Sequence, residues 1–252
     1  MNASSSRSQD LQAKTLEICI DDLAGLNAAI AGGADRIELC AALELGGLTP
    51  SASMIAAAAH APVPVHAMVR PRSGDFSYDE AEIDLVVEDI RRLRDLGVSG
   101  VVVGAANPDG ELNEHALARF REAADGLSIV LHRVVDLAPD PVAGARIAAK
   151  QGYDFILTSG GSRSAFEGRA TIARMVAETS GSLTIIAGGG LTPANVALVV
   201  NDARVMQIHA SASGKLDWRD PRTEEFGFAN GPRRVTAEAR VGALKKALSE
   251  LQ

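Results

Sequence analysis

The chain lacks most of what would send it to a membrane, a nucleic acid or the cell exterior. Basic residues do not dominate: 25 Lys and Arg against 32 Asp and Glu leave a formal charge of −7. That balance argues against non-specific binding to nucleic acid or an anionic bilayer, while local basic pockets stay open. No uninterrupted apolar run reaches the roughly 20 residues needed to span a bilayer. The Ser-rich opening stretch, 1–14, has no apolar segment of the kind a secretion leader requires, and it reads as a disordered tail. There are only two cysteines, with no C-x-x-C spacing. Without an export signal they point to reduced thiols in the cytoplasm rather than to a disulfide framework. Aromatic residues make up 4%, while Ala, Val, Ile, Leu and Gly dominate, a composition that suits tightly packed parallel strands and helices. Two motifs are also missing. No G-x-G-x-x-G follows the first strand, and Ser159 has no G-x-S-x-G context, which argues against a dinucleotide-binding sheet and a serine hydrolase respectively.

What is present is a regular alternation. Candidate strands begin at 16, 36, 65, 100, 129, 155, 184 and 205, and each gap holds helical material. The clearest helix is Tyr78 to Leu96, with Ile83, Val86, Val87, Ile90 and Leu93 at helical spacing. Pro193 is expected to open a helix, and Val235 to Leu251 forms the last one. Eight alternating strands and helices in about 250 residues predict a single (β/α)8 TIM-like barrel over 15–252. A doubly wound open sheet is the alternative. The charged, glycine-rich stretch 211–233 reads as a long loop after strand eight: a lid, a subunit contact or a mobile connection.

Active sites of such barrels form at the carboxyl ends of the strands, and alternation tells which side chains point inward. Leu16-Glu17-Ile18-Cys19-Ile20 and Arg36-Ile37-Glu38-Leu39-Cys40 are two matched strands with aliphatic residues on one face and Glu and Cys on the other. If the aliphatic faces meet the helices, the mouth collects Glu17, Cys19, Glu38, Cys40, Arg70, His132 and His209. Two readings of the glutamates stay open. They are a general acid and base for a small polar substrate, or buried ion-pair partners of Arg70 and Arg72. Cys19 and Cys40 either share a metal ion, with Cu(I) suiting two thiolates, or are small buried hydrophobes. His132, with Arg133 and Asp136 following, reads as a base with orienting partners or as a plain hydrogen-bonding residue. Gly188-Gly189-Gly190 and the Ser211 to Ser213 turn sit where phosphate-binding barrels seat an anion, joined by Arg72 and Ser159; the bland reading of the glycines is a tight turn.

These pieces together resemble the copper homeostasis protein CutC family. The matching stretches are Leu16-Glu17-Ile18-Cys19, Gly32-Gly33-Ala34-Asp35-Arg36-Ile37-Glu38-Leu39-Cys40, Gly46-Gly47-Leu48-Thr49-Pro50-Ser51 and Met68-Val69-Arg70-Pro71-Arg72 with Gly74-Asp75-Phe76. Further on come His132-Arg133 with Asp136, Leu157-Thr158-Ser159-Gly160, Gly188-Gly189-Gly190 and His209-Ala210-Ser211-Ala212. The resemblance implies a TIM-like barrel, a cytoplasmic homo-oligomer and a role in copper handling, with Cys19 and Cys40 at the family's cysteines and Cu(I) as the ion bound. The residues themselves support a second expectation. It is a lyase, isomerase or hydrolase acting on a phosphorylated or otherwise anionic sugar-like metabolite, with no nucleic-acid or membrane partner.

Overall fold

The computed structural model describes residues 14–251, so all of the expected tail except Lys14 lies outside the described residues. Eight parallel strands close into a barrel in chain order. They are β1 (Thr15–Ile20), β2 (Arg36–Leu39), β3 (Val65–Met68), β4 (Gly100–Val103), β5 (Ser128–Leu131), β6 (Phe155–Thr158), β7 (Thr184–Gly188) and β8 (Gln207–Ala210). The ring shuts between β1 and β8, where Glu17 lies beside His209. Seven helices return the chain: α1 (Leu23–Ala31), α2 (Ala52–Ala58), α3 (Glu80–Asp95), α4 (Glu114–Ala123), α5 (Pro141–Lys150), α6 (Ala165–Thr179) and α7 (Val196–Ala203). The starts of α1 to α6 are fixed by side chains that accept an orphan first-turn amide: Asp22, Ser51, Asp79, Asn113, Asp140 and Ser164. Asp79 and Glu82 complete a capping box.

Period-2 alternation sorts the strand residues into two cores. Ile18, Ile20, Ile37 and Leu39 join the large cluster between strands and helices, each burial contributing about 1.5–3 kcal/mol. Cys40, Met68, Val102, Val130, Leu157 and Ile186 form a smaller apolar cluster on the opposite, inward faces. No described helix is long and apolar enough to cross a membrane.

Two stretches differ from expectation. The helix expected at Pro193 starts at Val196, because Thr192 to Asn195 closes a turn in which the Asn195 side-chain Oδ1 accepts the Thr192 N–H. The stretch expected as one long loop, 211–233, is partly built. Its β9 (Ser213–Leu216) pairs antiparallel with β10 (Arg233–Thr236), and the one-turn α8 (Arg222–Glu225) lies between them. The last helix, α9 (Glu238–Ser249), therefore begins after that pairing, not at Val235.

One glycine sets how closely a helix meets a strand end. A Cβ on Gly168 of α6 would fall 1.9 Å from the Ser159 carbonyl oxygen, a backbone atom that cannot swing away. Gly168→Ala should lower the unfolding free energy by about 1–3 kcal/mol, the usual cost of overpacking. It should appear as a lower urea midpoint at constant slope. An unchanged midpoint would mean that α6 slides outward freely.

Candidate functional site

The register of β1, β2 and β8 brings the ionisable residues together. Glu17 is paired with Arg36 on one side and His209 on the other, and Cys19 with Glu38. Arg36 Nε donates to Glu17 Oε2 at 2.5 Å, and its Nη2 donates to Gln207 Oε1 at 2.7 Å. The guanidinium also lies over the Phe155 ring, 4.9 Å from its centroid. His209 Nδ1 meets Glu17 Oε1 at 2.8 Å, while its Nε2 lies 3.8 Å from Glu38 Oε2. One histidine is thus bracketed by two buried carboxylates.

Burial alone would raise the Glu17 carboxyl, but Arg36 and then His209 outweigh it and hold the group well below the usual carboxylate range. Glu38 has no arginine of its own. Burial, with the negative Glu17 behind it, lifts the Glu38 carboxyl above its ordinary value against the pull of His209. Burial would lower the His209 ring, yet Glu38, Cys19 and the hydrogen bond to Glu17 raise it well above the normal histidine value. His66, inward on β3 with its Nδ1 3.9 Å from Glu17, is held down to about 4, chiefly by burial. The cluster therefore favours the charged form of Glu17 and the protonated form of His209, while burial favours the neutral form of Glu38.

The thiols part company. Cys19 Sγ contacts the Ala210 carbonyl at 3.8 Å and forms, with Glu38 and His209, a buried group whose donor atoms lie within 4.8 Å of one another. Cys40 stands outside that group and donates its S–H to Glu38 Oε2 at 3.6 Å. Burial, and then the Glu38 charge, push the Cys40 thiol well up, so it stays protonated.

At the rim the two expected arginines serve the loops. Arg70 donates to the carbonyls of Leu45, Gly47 and Gly74 at 2.8, 3.1 and 2.7 Å and lies over Phe76, 4.7 Å from its centroid. Arg72 pairs with Glu82 of α3 and with Asp75, and donates to the Ser77 carbonyl. Neither pairs with Glu17 or Glu38; the counter-ion is Arg36. Arg36 could have been found in the sequence, since it stands two residues before Glu38 and alternation puts it on the same face.

His132 is not oriented by Arg133 and Asp136. Its Nδ1 accepts the Val134 N–H at 3.2 Å, whereas Arg133 and Asp136 turn to the β6 loop. There the Asp136 carboxylate accepts from Thr158 Oγ1, from the Ser159 N–H and hydroxyl, and from the Gly161 N–H. Ser159 is thus engaged by the protein's own carboxylate, a nest already filled. Arg133 donates from Nε to Asp136 and from Nη2 to Ser159, and its Nη1 has no partner among the described residues. Gly188 packs against His209 and Gly189 against Arg133, so that turn bridges the two; Gly189 and Gly190 both have positive φ. The Ser211 and Ser213 hydroxyls lie 3.1 Å apart, and Ser213 also accepts from Arg234.

A closed parallel barrel with an ionised, thiol-bearing interior defines a protein of the (β/α)8 TIM-barrel class. The family model described as the CutC family matches residues 14–214, and the chain belongs to the CutC family. It is 46% identical over 236 residues to a family protein CutC of Agrobacterium fabrum, covering 93% of this chain and 94% of the relative. A counterpart from Sinorhizobium medicae is 42% identical over 236 residues, with 94% and 96% covered. Among solved structures, CutC from Streptococcus agalactiae superimposes with a TM-score of 0.74 at 28% identity, covering 79% of this chain and 98% of the other. Phosphoribosyl anthranilate isomerase from Thermococcus kodakaraensis shares the fold alone, with a TM-score of 0.56 at 18% identity over 94% of this chain and 100% of its own.

The ion pair has a measurable signature. Arg36→Met leaves Glu17 buried without its strongest counter-charge and should cost about 3–5 kcal/mol of stability. Adding Glu17→Gln should recover most of that, because an amide needs no counter-ion. Urea unfolding of the single and double variants decides the matter; equal losses in both would remove the pair as the source.

Proposed function

We propose that the mouth of the barrel is a proton-transfer active site for a small anionic, sugar-like metabolite. The observation that carries this reading is the bracketed His209. A charged imidazole lies between a carboxylate held ionised and a second carboxyl raised in pKa, whose Oε1 has no partner among the described residues. Neighbouring carboxyls whose environments push their pKa values apart are the arrangement acid–base catalysis uses. In this reading Glu38 takes and returns the proton. Glu17 and Arg36 fix the charge and orientation of His209. Arg133 Nη1, the backbone of Gly189 and Gly190 and the Ser211 hydroxyl seat the anion. Arg70 shapes the rim and does not touch substrate. The reaction is of the lyase, isomerase or hydrolase kind, and the two buried free thiols suit a cytoplasmic protein. Exposed Phe226 and Phe228 on the segment after β8 suit contact with a second subunit.

A panel of phosphorylated sugars and sugar acids should contain a compound that raises the melting temperature by several degrees. Arg133→Met should erase that rise. Glu38→Gln should keep the rise while turnover of the same compound falls by about 10²–10⁴-fold. Absence of stabilisation across the panel would count against the reading.

A second reading rests on the group formed by Cys19, Glu38 and His209, and on the streptococcal relative, which is described as a copper homeostasis protein. The donors fit a soft cation. Glu17 takes the Nδ1 side of His209 and leaves Nε2 facing Cys19 and Glu38, the carboxylate–histidine support found behind many metal ligands. Binding Cu(I) would release the thiol and imidazolium protons, so affinity should rise with pH. Titration against a chromophoric Cu(I) chelator should show one ion per chain, lost in Cys19→Ser and kept in Cys40→Ser. Unchanged affinity in Cys19→Ser would sink this reading.

A further inference from the structure

The buried polar atoms without partners among the described residues include Glu38 Oε1, an acceptor, and His132 Nε2. The hydrogen bonds of His132 decide which kind of atom Nε2 is. Nδ1 accepts the Val134 N–H, so it carries no proton, and a neutral ring must carry its proton on Nε2. The surroundings keep the ring neutral. It is buried, it lies near the Arg70 guanidinium and against the Phe76 ring, 4.8 Å between centroids, and no carboxylate among the described residues pairs with it. Burial and then Arg70 hold it down to about 3. The ring is also clamped, because a Cβ on Gly104 would fall 2.6 Å from Cε1 and 2.7 Å from Nδ1. That edge is pressed against the residue that follows β4, and the ring's Nε2 is buried with no partner among the described residues.

We propose that His132 is a neutral hydrogen-bond donor to the substrate's carbonyl oxygen, not a base, and that the substrate is a hydroxy-carbonyl compound handled by enolisation. The proposal rests on the proton-transfer reading and names its substrate class. Glu38 removes a proton from the carbon next to the carbonyl. The C–H electron pair becomes the C=C bond, and the carbonyl π pair moves onto oxygen, where the His132 Nε2–H meets the growing negative charge. Return of the proton from Glu38 to the former carbonyl carbon, with the hydroxyl proton shifting between the two oxygens, completes an aldose–ketose exchange without oxidant or co-reactant. A neutral donor suits this task, as an imidazolium would surrender its proton too readily.

The test uses the unmodified protein labelled with 15N-histidine. Long-range 15N–1H spectra should show His132 as the Nε2–H tautomer from about pH 8 down to about pH 4.5, with no titration near the ordinary value of about 6.5. Phosphoglycolohydroxamate and longer phosphosugar hydroxamates, which mimic the enediolate, should move the Nε2–H proton downfield; phosphoglycolate, lacking that oxygen pattern, should not. An Nδ1–H tautomer, or a midpoint near 6.5, overturns the assignment. A hydroxamate that binds without moving Nε2–H overturns the donor role alone. Failure of every hydroxamate to bind overturns both the donor role and the anion seat on which it rests.

Discussion

The interior of this barrel depends on one ion pair, Glu17 with Arg36. A carboxylate that is 2% exposed would not stay charged without a partner, and Arg36 supplies it from the neighbouring strand. The settled charge on Glu17 then determines the rest. It accepts the hydrogen bond of His209 Nδ1, favours the protonated form of that ring and gives Glu38 a negative neighbour that helps to raise its carboxyl. Packing supports the arrangement from below, where Phe155 and Gln207 hold the guanidinium in place.

The rim obeys the opposite rule. Arg70 spends its donors on carbonyl oxygens of two loops, and Arg72 ties the β3 loop to α3. Arginines that read in sequence as partners of the glutamates, or in the case of Arg72 as part of an anion seat, are instead fasteners, because irregular loops leave carbonyls that need donors. Arg133 differs in that its Nη1 has no partner among the described residues. The same division marks the thiols: Cys19 faces the ionised cluster, whereas Cys40 belongs to the inward apolar cluster with Met68 and Val102.

The fold was legible because its signal is repetitive. Strand alternation placed Glu17, Glu38, Cys19, Cys40 and His209 on inward faces; Glu17, Glu38 and Cys19 gather around His209, and Cys40 reaches that group through Glu38. Alternation does not carry distance along the barrel axis, however. It could not tell that Arg36, at the start of its strand, would reach Glu17 while Arg70, at the end of its own, would not. The pairing of Arg133 with the β6 loop was equally hidden, since it depends on how the turn after β5 folds back and not on any local spacing. The hairpin of β9 and β10 escaped for a similar reason: its strands are four residues each, and they are separated by sixteen residues of polar chain.

Asp136 carries a consequence for how this corner can change. Its carboxylate gathers donors from Arg133, Thr158, Ser159 and Gly161, so two segments far apart in the chain share one anion. Gly168 presses on the same loop from behind. A neutral residue at 136 would strand several donors at once, and no single substitution elsewhere would absorb them. This corner therefore drifts as a block or not at all: the turn after β5, the loop after β6 and the first turn of α6 form one heritable unit written in three places.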